Sequence, residues 1–191
     1  MKVEVKICGI TRRDDAELAV SCGANFVGLV LAEQSPRRLS LGQLAEFADL
    51  PVRKVGVFVD ADLNYIRQAV EIGHLDVVQL HGQESGDFAR RIDFAEVWKA
   101  TYDPAFPAAR LVCDAPVGGS GTFGDHRKAA ELAKVRKVML AGGLTPDNVA
   151  ELVVQVRPVG IDLSSGVESS AGVKDHEKLR KLFQQVKGIK I

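Results

Sequence analysis

Apolar positions along the chain follow two alternating periods. Residues 3–7, 26–31, 54–59, 77–80, 96–99, 111–113, 137–140 and 160–163 form short apolar runs rich in β-branched side chains, and each run predicts a strand. Most intervals between them carry apolar residues at the i, i+3, i+4, i+7 spacing of an amphipathic helix. Ala16, Ala19, Val20 and Gly23 mark the first such face, and Leu41, Leu44, Ala45 and Ala48 the second. Thr145 reads as an N-cap with Pro146 at the first helical position, ahead of Val149, Leu152, Val153 and Val156. Leu179, Leu182, Phe183 and Val186 repeat the pattern near the C-terminus.

Strand and helix in strict alternation imply parallel strands joined by right-handed crossovers, and eight such units are the number that closes. The expected fold is α/β: a single-domain (β/α)8 TIM barrel over residues 1–191. An open doubly wound sheet is the competitor, but Cys8-Gly9-Ile10-Thr11 after the first strand lacks the dinucleotide-binding glycine fingerprint. Residues 101–110 contain Pro104 and Pro107, so the helix between strands five and six should be shortened or missing.

Composition narrows the class of partner. The chain has 191 residues, 46% of them hydrophobic, which suits one domain with a substantial core. Twenty-five Lys plus Arg balance 25 Asp plus Glu, leaving no excess positive charge to hold nucleic acid or an anionic membrane. Cys8, Cys22 and Cys113 are widely spaced and suggest neither a zinc site nor a disulfide framework. Residues 1–7 alternate charged and apolar side chains where a secretion signal would be continuously apolar. The expectation is a soluble, cytoplasmic protein that takes a small molecule.

In a parallel barrel the reacting groups sit at the C-terminal ends of the strands. Cys8, His81 and Asp114 end strands one, four and six. Gly142-Gly143 ends strand seven and Ser164-Ser165-Gly166 ends strand eight, and glycine-rich segments there can aim main-chain N–H groups at a phosphate. Gly118-Gly119-Ser120-Gly121 forms a third permissive loop. A lone cysteine is ordinarily inert packing, which is the reading for Cys22 and Cys113. Cys8 differs by position, since its thiolate at the barrel mouth can act as a base. A histidine at a strand end, such as His81, more often orients its neighbours than reacts.

Six segments resemble, in order and nearly end to end, the signatures of the phosphoribosylanthranilate isomerase family. They are Lys6-Ile7-Cys8-Gly9-Ile10-Thr11, Val55-Gly56-Val57-Phe58-Val59, Val78-Gln79-Leu80-His81-Gly82, Gly118-Gly119-Ser120-Gly121, Ala141-Gly142-Gly143-Leu144 and Asp162-Leu163-Ser164-Ser165-Gly166-Val167-Glu168. The resemblance implies a cofactor-free, metal-free Amadori rearrangement of N-(5-phosphoribosyl)anthranilate in tryptophan biosynthesis, with Asp114 as acid and Cys8 as base. It also implies substrate contacts from Arg37, His81 and Asp162, with Arg37 on the anthranilate carboxylate, and leaves a monomer or a homodimer open. Arg38, beside Arg37, is the rival for that contact. The family commonly reads Gly-Lys-Thr-Phe-Asp-Trp after strand six, whereas this chain reads Gly121-Thr122-Phe123-Gly124-Asp125-His126.

Two other readings compete. One is another phosphate-binding barrel isomerase or epimerase; a strand-one cysteine paired with a strand-six aspartate argues against it. The other is a non-catalytic phosphosugar-binding or thiol redox protein, which would show a reactive Cys8 without turnover.

Overall fold

Each apolar run expected to be a strand is one in the computed structural model, which describes residues 2–114 and 125–189. The strands are β1 (Glu4–Cys8), β2 (Phe26–Val30), β3 (Arg53–Phe58), β4 (Val77–Leu80), β5 (Glu96–Ala100), β6 (Arg110–Cys113), β7 (Val138–Leu140) and β8 (Gly160–Leu163). They pair in chain order and β8 returns to β1, every pairing parallel, so the sheet closes into a barrel. Around it lie α1 (Arg13–Cys22), α2 (Leu41–Leu44), α3 (Leu63–Gly73), α4 (Gly86–Arg90), α5 (His126–Ala133), α6 (Val149–Val156) and α7 (His176–Val186), with a 3-10 turn, Ala45–Phe47, continuing α2.

Residues 101–109 carry turns and no helix, as the two prolines require. Their carbonyls are satisfied from outside. The Arg136 guanidinium donates to the main-chain oxygens of Pro104, Phe106 and Ala108, the last at 2.7 Å, taking the place of internal helical hydrogen bonds. The Gly118–Gly121 loop and the departing residues 121–124 lie outside the described residues.

Three local expectations are corrected. Thr145 and Pro146 do not open a helix: Thr145 Oγ1 accepts the Asp147 N–H in a preceding turn, and α6 begins three residues later behind Asn148. The side chain of Asn148 instead bridges Thr145 N–H (2.8 Å) and Gly143 O (3.0 Å), which competes with a continuous helix from Pro146. Gly23 does not pack on the core but caps α1 in the left-handed region at φ +104°. Ala45 is exposed, and the buried stripe after β2 runs through Leu44, Phe47 and Leu50, because the chain tightens to 3-10 geometry there. A small antiparallel hairpin, β9 (Glu168–Ser170) and β10 (Val173–Lys174), follows β8 and was not expected.

Alternation along the strands produces two apolar layers. Val5, Ile7, Leu29, Phe58, Leu80 and Leu140 face outward onto the buried faces of the helices, among them Ala16, Ala19, Ile66, Leu152 and Leu182. Phe26, Val55, Val77, Trp98, Val112, Met139 and Ala141 fill the interior. Asp15, wholly buried on α1, accepts the Lys174 N–H at 3.0 Å and pairs with His176 Nε2 at 2.8 Å, fastening α1 to β10 and α7.

Candidate active site

The same alternation that sends Val5 and Ile7 outward turns Lys6 and Cys8 into the barrel, and it turns Gln79 and His81, Val112 and Asp114, and Asp162 and Ser164 inward on their strands. At the C-terminal end Cys8, Gln79, His81, Asp114, Asp162 and Ser164 border a cavity of about 340 Å³. Its lining includes Cys8, Arg37, His81, Asp114 and Asp162, together with Gly142, Gly143, Ser164, Ser165 and Gly166. These ten candidates for catalysis or binding therefore border one space. Arg38 is not in that lining; its guanidinium lies 3.6 Å from Glu33, at the surface.

Beneath the cavity the Lys6 ammonium, wholly buried, donates to two residues of its lining, Asp162 Oδ2 at 2.7 Å and Gln79 Oε1 at 2.8 Å. Burial would strip its proton, but Asp162 first and Cys8 second outweigh burial and hold its pKa above the usual lysine value. Asp162 Oδ1 is buried and has no hydrogen-bond partner among the described residues. A lone pair left unsatisfied beside a ligand cavity is suited to a donor that arrives with the ligand.

Burial pushes the Cys8 thiol above its ordinary value; Lys6 and Lys174 oppose that shift, and Asp162 reinforces it. Cys113, in the outer apolar layer, has burial alone acting on it and is pushed up to about 12. Cys8, half-buried, differs from buried Cys113 in having cations that oppose the shift, which is the setting a thiolate base needs.

Opposite, His81 Nδ1 lies 3.3 Å from Gln79 Nε2, and His81 Nε2 lies 3.5 Å from Asp114 Oδ2. The Tyr102 hydroxyl donates to the Asp114 main-chain oxygen at 3.1 Å, fixing the end of β6.

Arg37 reaches the cavity edge from the loop after β2, and its guanidinium forks onto Glu168 through Nε at 2.8 Å and Nη2 at 2.6 Å. Those hydrogen bonds are the chief reason its pKa stands above the usual arginine value. Glu168 is also paired with Lys174 at 2.8 Å. Burial would raise the Glu168 carboxyl, yet Arg37 and Lys174 hold it below the ordinary range. Lys174 Nζ donates onward to Cys8 O at 2.6 Å, so the hairpin after β8 braces both the arginine and the end of β1.

Gly142 and Gly143 both lie in the left-handed region, at φ +78° and +66°, a pair of conformations that turns successive N–H groups to one side. The two glycine segments touch: a Cβ on Gly166 would sit 1.8 Å from Leu144 O. The main-chain N–H groups of Gly143 and Ser165 make no hydrogen bond to another described residue.

Gln79, Glu168 and Lys174 are not singled out by the sequence, and Lys6 is marked there only by its nearness to Cys8. Lys6 and Gln79 had a signal, since each stands two residues before a candidate on the same strand face. Glu168 and Lys174 had none, because the hairpin that carries them is too short for a periodic pattern.

Comparison with known proteins agrees with this geometry. The model of the N-(5'-phosphoribosyl)anthranilate (PRA) isomerase family matches residues 5–185. The N-(5'-phosphoribosyl)anthranilate isomerase of Geotalea daltonii is 40% identical over 96% of this chain and 96% of its own, and that of Geotalea uraniireducens 37% over 97% and 99%. The crystal structure of the Thermus thermophilus phosphoribosyl anthranilate isomerase superposes with a TM-score of 0.90 at 38% identity, covering 96% of this chain and 98% of its own. A crystal structure of the same kind of enzyme, in complex with reduced 1-(o-carboxyphenylamino)-1-deoxyribulose 5-phosphate, superposes at 0.89 with 33% identity over 98% of this chain and all of its own. Among the described residues no helix is long and apolar enough to cross a membrane. A closed barrel with a thiol, a carboxyl and two glycine turns around one cavity, matched nearly end to end by these relatives, places the chain in the N-(5'-phosphoribosyl)anthranilate isomerase family.

Proposed function

We propose that Cys8 and Asp114 are the base and the acid with which this isomerase of tryptophan biosynthesis carries out its Amadori rearrangement. The observation that carries the reading is their placement on one cavity at the ends of β1 and β6, the thiol backed by Lys6 and the carboxyl by His81. Asp114 donates a proton to the furanose ring oxygen of N-(5'-phosphoribosyl)anthranilate as the C1–O bond breaks, and the electron pair on nitrogen forms a protonated Schiff base. Cys8 then takes the proton from C2; the C–H pair becomes the C1=C2 bond of an enolamine, which tautomerises to the 2-ketone. The two groups must hold opposite protonation states at one pH, and activity should climb as Cys8 ionises.

The phosphate is held by the main-chain N–H groups of Gly143, Ser165 and their neighbours, in a cradle formed with Gly142, Ser164 and Gly166. No lysine lies in either segment to supply charge, so backbone dipoles do the binding. Arg37 takes the anthranilate carboxylate with the donors that Glu168 leaves open. Asp162 Oδ1 accepts from a sugar hydroxyl, and His81 holds Asp114 in place. The phosphorylated sugar is the only partner the reading needs, with the cytoplasm as the setting.

Purified protein, in chelator and without nucleotide, should abolish the fluorescence of the anthranilate-derived substrate in a progress curve. A flat trace from folded protein would remove the reading.

A further inference from the structure

Cys8 as base leaves open what stabilises its anion at the mouth of the barrel. Charged and titratable groups face it from several elements: Lys6 on β1, Asp162 on β8, Lys174 on β10, Arg37 after β2, and His81 and Asp114 across the cavity. Lys174 is already tied to Glu168, and Arg37 to the same carboxylate. Lys6 is different. An ammonium has three donors, and only two of its contacts, Asp162 and Gln79, lie away from the thiol. A Cβ on Gly28, opposite Cys8 in the β1–β2 register, would stand 2.7 Å from Cys8 Sγ and 3.0 Å from Lys6 Cε. The sulfur and the lysine stem therefore share the space that any larger residue at 28 would fill.

We propose that Lys6 is a positioning residue for proton abstraction: its buried ammonium, steered by Asp162 and Gln79, is the cation against which the Cys8 thiolate forms, and Asp162 sets how much of that charge the sulfur receives. The proton from C2 ends on Sγ, and Lys6 stays protonated throughout. The inference rests on Cys8 being the base. A lysine that served only to neutralise Asp162 would leave the thiol indifferent to it. Burial already drives the thiol up, and Lys6 is the largest opposing influence.

The test reads the thiol directly in the unliganded enzyme. The rate of iodoacetamide alkylation at Cys8, followed by mass spectrometry of its peptide, is measured against pH. Asp162→Asn removes the competing anion and should lower the midpoint. The double variant Lys6→Met/Asp162→Asn removes both charges together, which avoids an unpaired buried carboxylate. Its midpoint should lie above that of Asp162→Asn by roughly 1–3 pH units, the usual effect of an adjacent opposite charge. The acid limb of the kcat/KM profile should likewise lie at lower pH in Asp162→Asn than in wild type. Gly28→Ala, which forces sulfur and lysine apart, should slow alkylation at fixed pH without altering the circular dichroism spectrum.

Equal midpoints in folded Asp162→Asn and the double variant would overturn the inference. If Cys8→Ser remained inactive in that case, Cys8 would still be the base and only the role of Lys6 would fall. Shifted midpoints together with a fully active Cys8→Ser would mean instead that the base had been misassigned, and the role of Lys6 in the reaction would fall with it.

Discussion

At the N-terminal end of the barrel Arg110 pairs with Glu4 and lies 3.7 Å from Glu96, while Glu96 accepts from Arg53 at 2.9 Å and from the Trp98 indole at 2.6 Å. Arg110 also stacks over Phe26 and Trp98, at 5.2 and 4.9 Å from the ring centroids. At the C-terminal end, Lys6 and Asp162 pair at 2.7 Å, yet Asp162 keeps one buried oxygen unpartnered and the Cys8 sulfur crowds the same space beside Gly28 as the lysine stem. The lower network satisfies its charges within itself and closes the barrel with aromatic rings. The upper one holds bonding capacity in reserve around a cavity. Ion pairs at the two ends of one barrel thus serve different ends, and what separates them is whether the pairing is complete.

That contrast can be broken most severely at the two groups proposed as base and acid. Cys8→Ser and Asp114→Asn should each lower kcat by ~10²–10⁴-fold, the usual loss for a positioned proton-transfer group, with thermal midpoints near that of wild type. Cys113→Ala, a thiol in the outer apolar layer, should leave kcat nearly unchanged. At the closed end the effect should reverse in kind. Arg110→Met removes the partner of Glu4, while Glu96 keeps Arg53 and Trp98, and should cost about 1 kcal/mol in denaturant unfolding while kcat stays within about twofold.

Smaller effects sharpen the picture of the upper end. Gly143→Val forces a branched residue to φ +66° and covers an N–H group, so KM should rise by roughly tenfold or more, from about 1–2 kcal/mol of backbone strain plus blocked phosphate approach. Ser165→Ala keeps the main-chain donor and should raise KM by no more than about threefold. Initial-rate kinetics against substrate concentration separates the two.

The mildest difference concerns acid. Glu168 at the upper end and Glu96 at the lower are both pulled upward by burial, and both are held below the ordinary carboxyl value by their partners: Arg37 and Lys174 for Glu168, Trp98 and Arg53 for Glu96. A depressed folded-state value means the stabilisation is fully present above the ordinary glutamate value of 4.5 and is lost as pH falls through the folded one. Glu168→Gln should therefore flatten the acid side of the stability profile, measured by urea unfolding at a series of pH values.

Most of this architecture was legible in the chain. The strands announced themselves because both faces of a barrel strand are buried, which gives short apolar runs such as Val77–Leu80. The missing helix was legible in Pro104 and Pro107. Cys8, Asp114 and Gly142-Gly143 stand out as candidates because the fold puts strand ends at the mouth, and the structure has them border one cavity. The partners of these groups were less visible. The Arg37–Glu168 pair spans 131 residues and the Lys6–Asp162 pair 156, and no local pattern reports which strand ends meet across a closed barrel. The start of α6 was misread because Thr145-Pro146 carries the right residue types, and only the fold shows Asn148 spending its side chain on the glycine turn.

The division of labour between sulfur and carboxyl is tested most directly by the kinetic isotope effect on kcat with substrate deuterated at C2. Cys8→Ser slows the step that breaks the C2–H bond, so the account predicts a large primary effect in that variant. Asp114→Asn slows ring opening before that bond is touched, and the effect there should shrink toward unity. The opposite pattern, or wild-type kcat in Cys8→Ser, would contradict the assignment of base and acid.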